Sequence, residues 1–352
     1  MRILILSWKD CAHPLAGGAE VFTEEVAAEL VSRGHEVTLF ASAVVGRPEH
    51  EQVDGVEVVR DGGRLGVYRA ARRFWSRRPP RSYDIVIDEI NTRPFLTPRW
   101  VRDTPIVALI YQLAREIWFH ETPFPVSAAG RYVFEPWWLR SYRNVPALTI
   151  SRSSAESLQR FHGWRDVTVI PVGLDEHAPP QVPKETEPTV VFLGRLVSMK
   201  RPEDALAAFA QLAVHHPAAQ LWVIGDGPLL ERLRASSPHG VTFLGRVDER
   251  ERAERLARAH VLVATSVREG WGLNVSEAAM CGTPSIGYRV PGLVDSIPAA
   301  GGALVDANSD ALGRALLDFF SGALTLHAAI GTRPWPEVAD VVERRLSEIA
   351  AA

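Results

Sequence analysis

Apolar residues along this chain fall into short β-branched runs separated by stretches of helical period. Ile3-Leu4-Ile5-Leu6 predicts a buried first strand, and Gly17-Gly18 precede a helix from about Ala19 to Ser32, with Val21, Val26, Leu30 and Val31 on its apolar side. Gly34 ends that helix, and Glu36-Val37-Thr38-Leu39-Phe40 predicts the second strand. Strand, helix and strand joined by short links make a right-handed parallel crossover. Further strands are expected over Tyr83–Asp88, Pro105–Ile110, Ala147–Ser151 and Val167–Ile170. The pattern then restarts. Thr189–Leu193, Leu221–Ile224, Val241–Leu244, Val261–Thr265 and Ser285–Tyr288 read as strands, with helices opening near Pro202, at Ser276, near Asp310 and at Trp335.

Between Pro171 and Pro188 the composition shifts to proline and charge, with Pro179-Pro180, Pro183 and Lys184-Glu185-Thr186-Glu187, the signature of a linker. At 352 residues the chain exceeds what one core usually fills, and about 150 residues per domain predicts two, divided near residue 180. Two α/β layers on one linker leave a cleft, a favoured place for ligands. With 46% hydrophobic and 23% charged residues the chain has an ordinary globular composition, and its net charge of -3 argues against a general nucleic-acid binder. Cys11 and Cys281 suggest neither a disulfide framework nor a zinc site and fit a reducing cytoplasm. No apolar run approaches a membrane span, so an intracellular location is expected.

One basic stretch stands apart. Arg60, Arg64, Arg69, Arg72, Arg73, Arg77, Arg78 and Arg81 face a single Asp61, with Leu65, Tyr68, Phe74 and Trp75 interleaved before Pro79-Pro80. Much of it can form a basic amphipathic helix. Such a helix either lies on an anionic membrane surface, aromatic residues in the interface, or is solvated and packed on the sheet.

Candidate chemistry concentrates in Arg268-Glu269-Gly270-Trp271-Gly272-Leu273-Asn274-Val275-Ser276-Glu277, a strand-to-helix turn. Gly270 and Gly272 let the backbone pass close to a ligand, and the helix that follows aims unpaired amides at it, which favours an anion. Glu269 and Glu277 flank the turn, and carboxylates accept from hydroxyls while amides donate to phosphate. That combination suits a nucleotide sugar. A competing reading makes Asn274 and Glu277 a capping box. Arg195 and Lys200 lie on the loop between Thr189–Leu193 and Pro202, and an Arg fork with a Lys point charge suits a diphosphate. The absence of a Walker-type lysine motif or an Asp-x-Asp means that nothing in the sequence asks for a metal. Gly17-Gly18 sit at a strand's carboxyl end, where ligands of open α/β sheets bind. Gly225-Asp226-Gly227-Pro228 is a tight turn at another. The run from Tyr111 to Glu121 is rich in polar and aromatic residues: Tyr111 can donate to a sugar hydroxyl, and Arg115 and Glu116 either bind an acceptor or form a local ion pair.

Glu269-Gly-Trp-Gly-Leu to Glu277, followed by Ala278-Ala279-Met280-Cys281-Gly282-Thr283-Pro284, resembles the E-x7-E signature of retaining glycosyltransferases of family four, which have the GT-B fold. The resemblance covers nearly the whole chain and is strongest from residue 190 to 300. It implies two Rossmann-like domains with parallel sheets facing an interdomain cleft: residues 1–180 for the acceptor, 181–330 for the nucleotide sugar, and a helix in 331–352 packing back toward the first domain. It implies that Glu269 is catalytic, binding the sugar's hydroxyls and orienting the anomeric carbon. Arg195 and Lys200 then grip the donor phosphates, with Gly17, Gly18 and the amides of Gly270, Trp271, Gly272 and Leu273 completing the nest. Gly225 lies beside the nucleotide, the backbone at Val247 reads the base, and Glu277 takes the ribose hydroxyls. Many relatives place a histidine where this chain has Tyr111, and His120, nine residues on, is no substitute for it.

The implied activity is transfer of a hexose-type unit from a UDP- or GDP-sugar to a sugar, lipid-linked or small-molecule acceptor. No cofactor or metal is required, and the oligomeric state is left open. Two alternatives share the donor: a GT-B-fold sugar-nucleotide epimerase and a non-catalytic nucleotide-sugar-binding protein. A dehydrogenase fits poorly, because Gly17-Gly18 lacks the G-x-G-x-x-G run.

Overall fold

The short apolar runs form strands because β-branched residues fit a pleated surface, and burial on both faces leaves no polar alternation in them. A computed structural model describes residues 1–174 and 180–351, and the chain divides into two units. Part of the expected linker, residues 175–179 including Pro179, lies outside the described residues. Unit 1 comprises Met1–Arg115, Ala128–Asp175 and Arg333–Ala352; unit 2 comprises Glu116–Ser127 and Glu176–Thr332. Residues 116–127, placed by sequence within the first half, group with unit 2.

Unit 1 is built on a sheet of eight strands: β1 (Arg2–Leu6), β2 (Glu36–Ala41), β3 (His50–Val53), β4 (Val56–Arg60), β5 (Ile85–Glu89), β6 (Ile106–Leu109), β7 (Ala147–Thr149) and β8 (Val167–Val169). Their order is β3-β4-β2-β1-β5-β6-β7-β8, parallel apart from the edge pair β3 and β4. Unit 2 carries β9 (Thr189–Leu193), β10 (Gln220–Ile224), β11 (Val241–Gly245), β12 (Val261–Ala264), β13 (Ser285–Tyr288) and β14 (Ala303–Val305), all parallel, in the order β11-β10-β9-β12-β13-β14. In both sheets the order reverses direction beside the first strand of the unit, which gathers loops at one end of the sheet.

Three local expectations need correction. The helix Gly18–Ser32 buries Phe22, Val26, Ala27 and Leu30, whereas Val21 is exposed. Phe22 sets this face, packing edge-on against Tyr111 at 5.7 Å and against Trp335 of the last helix at 5.6 Å. That last helix, Trp335–Ala351, is tied to the first by Arg33, whose Nη1 donates to Asp340 at 2.6 Å and to Glu343 at 2.9 Å.

The basic stretch is also more structural than its composition suggests. Arg60 ends β4, is buried, and pairs with Asp10 at 2.5 Å and Glu51 at 2.6 Å. Only Val67–Ser76 is helical, and Tyr68, Phe74 and Trp75 pack against the sheet core. Arg64, Arg69, Arg72, Arg77 and Arg81 remain exposed.

The helix after the candidate turn runs Leu273–Met280, three residues earlier than expected, with Gly272 as its N-cap at φ 99°. Asn274 is not a cap. Its Nδ2 donates to the Leu193 carbonyl at 2.9 Å, stitching the helix start to the end of β9.

Glu89 closes β5 with 1% exposure, its carboxylate accepting from Thr23 Oγ1 at 2.8 Å and Asn91 Nδ2 at 3.1 Å. Burial, reinforced by the charge of Glu20, pushes its pKa from 4.5 up to about 8. A carboxyl raised on folding contributes stability that is complete below its unfolded pKa and is lost as pH rises through the folded one. Wild-type unfolding midpoints are therefore expected to fall between pH 4.5 and about 8 more steeply than those of Glu89→Gln. Parallel profiles in thermal denaturation would contradict this.

Candidate functional site

The candidate site of unit 2 forms because β10, β9 and β12 are neighbours, so the loops leaving their carboxyl ends emerge side by side. Close approach of these loops requires glycine. Gly225 has φ 135°, and a Cβ there would lie 2.0 Å from the Gly194 carbonyl; at Gly227 it would lie 2.4 Å from that of Leu196. The Leu196 amide donates to Asp226 O at 2.9 Å, so the β9 and β10 loops are joined through their backbones.

The loops after β9 and β12 are joined in the same manner. Thr265 Oγ1 donates to the Lys200 carbonyl at 2.7 Å, and the Val267 amide donates to that of Met199 at 2.8 Å. This lays the short turn Ser198–Lys200 against the residues leading to Glu269. Glu269 is 9% exposed, and its Oε1 accepts from both Lys200 Nζ and Ser266 Oγ, the latter at 2.5 Å. Two of the residues singled out by sequence thus meet as an ion pair, and a serine that sequence reasoning missed fixes the carboxylate.

The backbone beneath Glu269 is equally constrained. Its amide donates to Pro291 O at 3.0 Å, and Gly292, at φ 85°, passes so close that a Cβ would lie 2.3 Å from the Glu269 carbonyl. Past Gly270, the Trp271 indole donates to Ser276 Oγ at 2.9 Å, turning the side chain back onto its own helix. With Gly272 at its N-cap, the helix from Leu273 presents first-turn amides at the end of this turn.

The remaining predicted residues of unit 2 are spread around this centre. Arg195, on the same loop as Lys200, is exposed, and its side chain has no hydrogen bond or ion pair among the described residues, which leaves its guanidinium available to an anion. Gly225 donates its amide to Gly245 O at 2.8 Å, at the end of β11, and Val247 follows two residues later, half-buried. Glu277, also half-buried, pairs with Arg252 at 3.4 Å, and burial raises its pKa above the usual carboxylate value. Glu116 pairs with the buried Arg268, at 3.2 Å, immediately before Glu269. Glu121 Oε1 accepts from the Met199 amide at 3.4 Å, so both ends of the helix Ile117–Glu121 are anchored on these loops.

In unit 1 Gly17 and Gly18 are exposed, whereas Tyr111 and Arg115 are buried. Gly17 caps the first helix, and its amide donates to Glu20 Oε2 at 2.7 Å; Lys9 pairs with the same carboxylate at 3.0 Å. Gly18 is the first helical residue. Tyr111 is buried, its hydroxyl donating to the Ala19 carbonyl at 3.0 Å and bonded to Thr23 Oγ1 at 2.6 Å. It braces the helix start and does not present its hydroxyl outward. Arg115, at φ 33°, is buried with its guanidinium 3.2 Å from the Phe161 ring centroid, and its amide donates to Glu135 at 2.9 Å. Sequence reasoning also missed the polar network at the end of β5, where Asp88 accepts from Thr97 Oγ1 at 2.7 Å and from Tyr142. The signal was present in Ile85-Val86-Ile87-Asp88-Glu89, an apolar strand ending in two carboxylates.

Comparison with known proteins agrees with this architecture. Residues 16–178 match the model "Glycosyltransferase Family 4", and residues 175–331 match "Glycosyl transferases group 1". A glycogen synthase of Mycobacterium tuberculosis is 26% identical over 339 residues, covering 84% of this chain and 80% of that protein. The GDP-mannose-dependent alpha-(1-6)-phosphatidylinositol dimannoside mannosyltransferase of the same species is 26% identical over 328 residues, covering 86% and 84%. Among solved structures, sucrose-phosphate synthase from Thermosynechococcus elongatus superposes with a TM-score of 0.75 at 20% identity, over 99% of this chain and 96% of that one. Both halves of the chain thus match glycosyltransferase models in order, and its two units, each folded around its own parallel sheet, have the GT-B fold.

Proposed function

We propose that the protein is a retaining, metal-independent glycosyltransferase that moves a hexose-type sugar from a UDP- or GDP-sugar to a sugar, lipid-linked or small-molecule acceptor. The observation that carries this reading is the Lys200–Glu269 pair, held by Ser266 beside a glycine turn that opens a helix. A cation and a carboxylate side by side match the two ends of the bond to be broken. Lys200 and Arg195 neutralise the diphosphate that departs, with the amides of Gly270 to Leu273 donating to its oxygens. Glu269 accepts from the sugar's hydroxyls and faces the anomeric carbon as positive charge develops there.

Before the donor arrives, Lys200 and Glu269 neutralise one another. The diphosphate offers Lys200 a more highly charged partner, while Ser266 keeps the carboxylate in place. Glu277 exchanges Arg252 for the ribose hydroxyls, and Val247 meets the base through its backbone. The leaving phosphate then takes the acceptor's proton on the face it departs from, so no second carboxylate at glycosidase spacing is needed. Unit 1 carries the acceptor, and the helix start at Gly17-Gly18 offers its own amides to an anion. Support for a nucleoside diphosphate donor includes the mannosyltransferase relative, whose name specifies GDP-mannose.

Incubation with UDP- and GDP-sugars, with and without acceptor, and measurement of released nucleotide tests the reading. One donor is expected to release nucleotide in an acceptor-dependent manner; release of none would contradict it. Glu269→Ala should lower turnover on the order of 100-fold or more while nucleoside diphosphate still binds. Unchanged turnover would remove Glu269 from catalysis.

Lys200→Ala should instead weaken nucleoside diphosphate binding by about 10- to 100-fold in calorimetry, the worth of a charge-assisted hydrogen bond. Equal affinity would remove the phosphate role. Ser266→Ala should leave nucleotide affinity unchanged and lower kcat by roughly tenfold through one lost hydrogen bond, with Ser266→Thr restoring it. A loss in KM alone would make Ser266 a binding residue instead.

A further inference from the structure

The helical run from Ala128 to Tyr142 in unit 1 is polarised the wrong way round for a surface segment. Its inward side carries Gly130, Glu135, Leu139 and Tyr142, and the buried Glu135 carboxylate is engaged by the amides of Ala114 and Arg115, both at 2.9 Å. Its outward side carries Tyr132, Val133, Phe134 and Trp137, exposed by 66, 57, 43 and 53%. Exposed aromatic side chains in unit 1 are otherwise represented only by Phe161, among the described residues, which lies under the Arg115 guanidinium. Single exposed apolar residues need no explanation, but a contiguous aromatic set marks a surface that meets something apolar.

The charges beside these rings identify what it meets. Arg131 and Arg140 belong to the same run, Arg143 follows its last residue, and Arg99 reaches across with its guanidinium 4.7 Å from the Trp137 ring centroid. From Ala128 to Arg143 the only acidic residue is the buried Glu135. A second copy of this chain docked face to face would oppose arginine with arginine, since a two-fold contact repeats the same patch on both sides. An anionic bilayer surface accepts both features together: Tyr and Trp rings lodge at the headgroup boundary, and arginines donate to phosphate oxygens.

We propose that Tyr132, Val133, Phe134 and Trp137, flanked by Arg131, Arg140 and Arg143, form a docking face for an anionic lipid surface. The face is distinct from the basic stretch Arg60–Arg81, whose aromatic residues are engaged in the sheet core. It holds the enzyme on a membrane as a peripheral protein, independently of which sugar is transferred.

Co-sedimentation with vesicles tests the proposal. The full chain should bind vesicles containing phosphatidylglycerol, bind phosphatidylcholine vesicles weakly or not at all, and lose binding as salt is raised. The double variant Phe134→Ser/Trp137→Ser should lower the partition coefficient by about tenfold or more, and Arg140→Ser/Arg143→Ser should remove most of the salt dependence. Arg69→Ser/Arg72→Ser/Arg77→Ser serves as the control and should change binding less than either. Circular dichroism verifies that the variants fold. Quenching of wild-type tryptophan fluorescence by brominated acyl chains needs no variant and should be seen with phosphatidylglycerol vesicles. Absence of wild-type binding or of quenching, full binding by the Phe134/Trp137 variant, or loss of binding only in the control would overturn the proposal. So would a concentration-dependent dimer in light scattering that the Phe134/Trp137 variant abolishes.

Discussion

The bond between Lys200 and Glu269 is the interaction on which the site of unit 2 depends. A lysine and a glutamate at the surface would gain little from pairing, but here both side chains are largely shielded and each is held by a second element. Thr265 ties the backbone of Lys200, Ser266 ties the carboxylate of Glu269, and the Met199 carbonyl receives the amide of Val267. Loss of either partner would leave a partly buried charge uncompensated. The pair is therefore fixed from both sides, with both charges shielded and oriented by neighbouring elements.

The fold supplies that pair with its geometry. Parallel strands deliver their carboxyl ends to one edge, and the sheet order places the loops of β10, β9 and β12 next to one another. Glycine is then required wherever two loops touch through backbone, as at Gly225 against Gly194, Gly227 against Leu196 and Gly292 against Glu269. Asn274 performs the corresponding task from a helix, joining its first turn to the end of β9. Glu116 and Glu121 brace the same loops from a segment that lies far away in sequence. Most of the polar contacts around the site thus hold backbone in position, and the Arg195 guanidinium is left without a side-chain partner among the described residues.

Much of this was legible in the sequence because the informative signals are local. Apolar runs located the strands, and the spacing of Glu269, Gly270, Gly272 and Glu277 marked the turn. What escaped required knowledge of neighbours distant in sequence. Asn274 and Glu277 carry the spacing of a capping box, but the Leu193 carbonyl competes for the asparagine and Arg252 for the glutamate. Ser266 has no distinguishing pattern, since a serine in a loop is commonplace until a carboxylate is found beside it. Val21 and Phe22 both suit a buried helix face, and Trp335, more than three hundred residues on, decides between them. Tyr111 looked available because it ends a strand, yet Thr23 and the Ala19 carbonyl occupy its hydroxyl. Aromatic residues at 132–137 would ordinarily be assigned to a core; here Tyr132, Phe134 and Trp137 are exposed and Glu135 between them is buried.

The central claim is that this preformed ion pair is the anchorage for a nucleoside diphosphate. A crystal structure of the full chain with UDP or GDP bound tests it most directly. The account predicts phosphate oxygens within hydrogen-bond distance of Lys200 Nζ and of amides between Gly270 and Leu273, with Ser266 Oγ still bonded to the Glu269 carboxylate. A nucleotide bound elsewhere, with Lys200 and Glu269 still joined to each other, would contradict it.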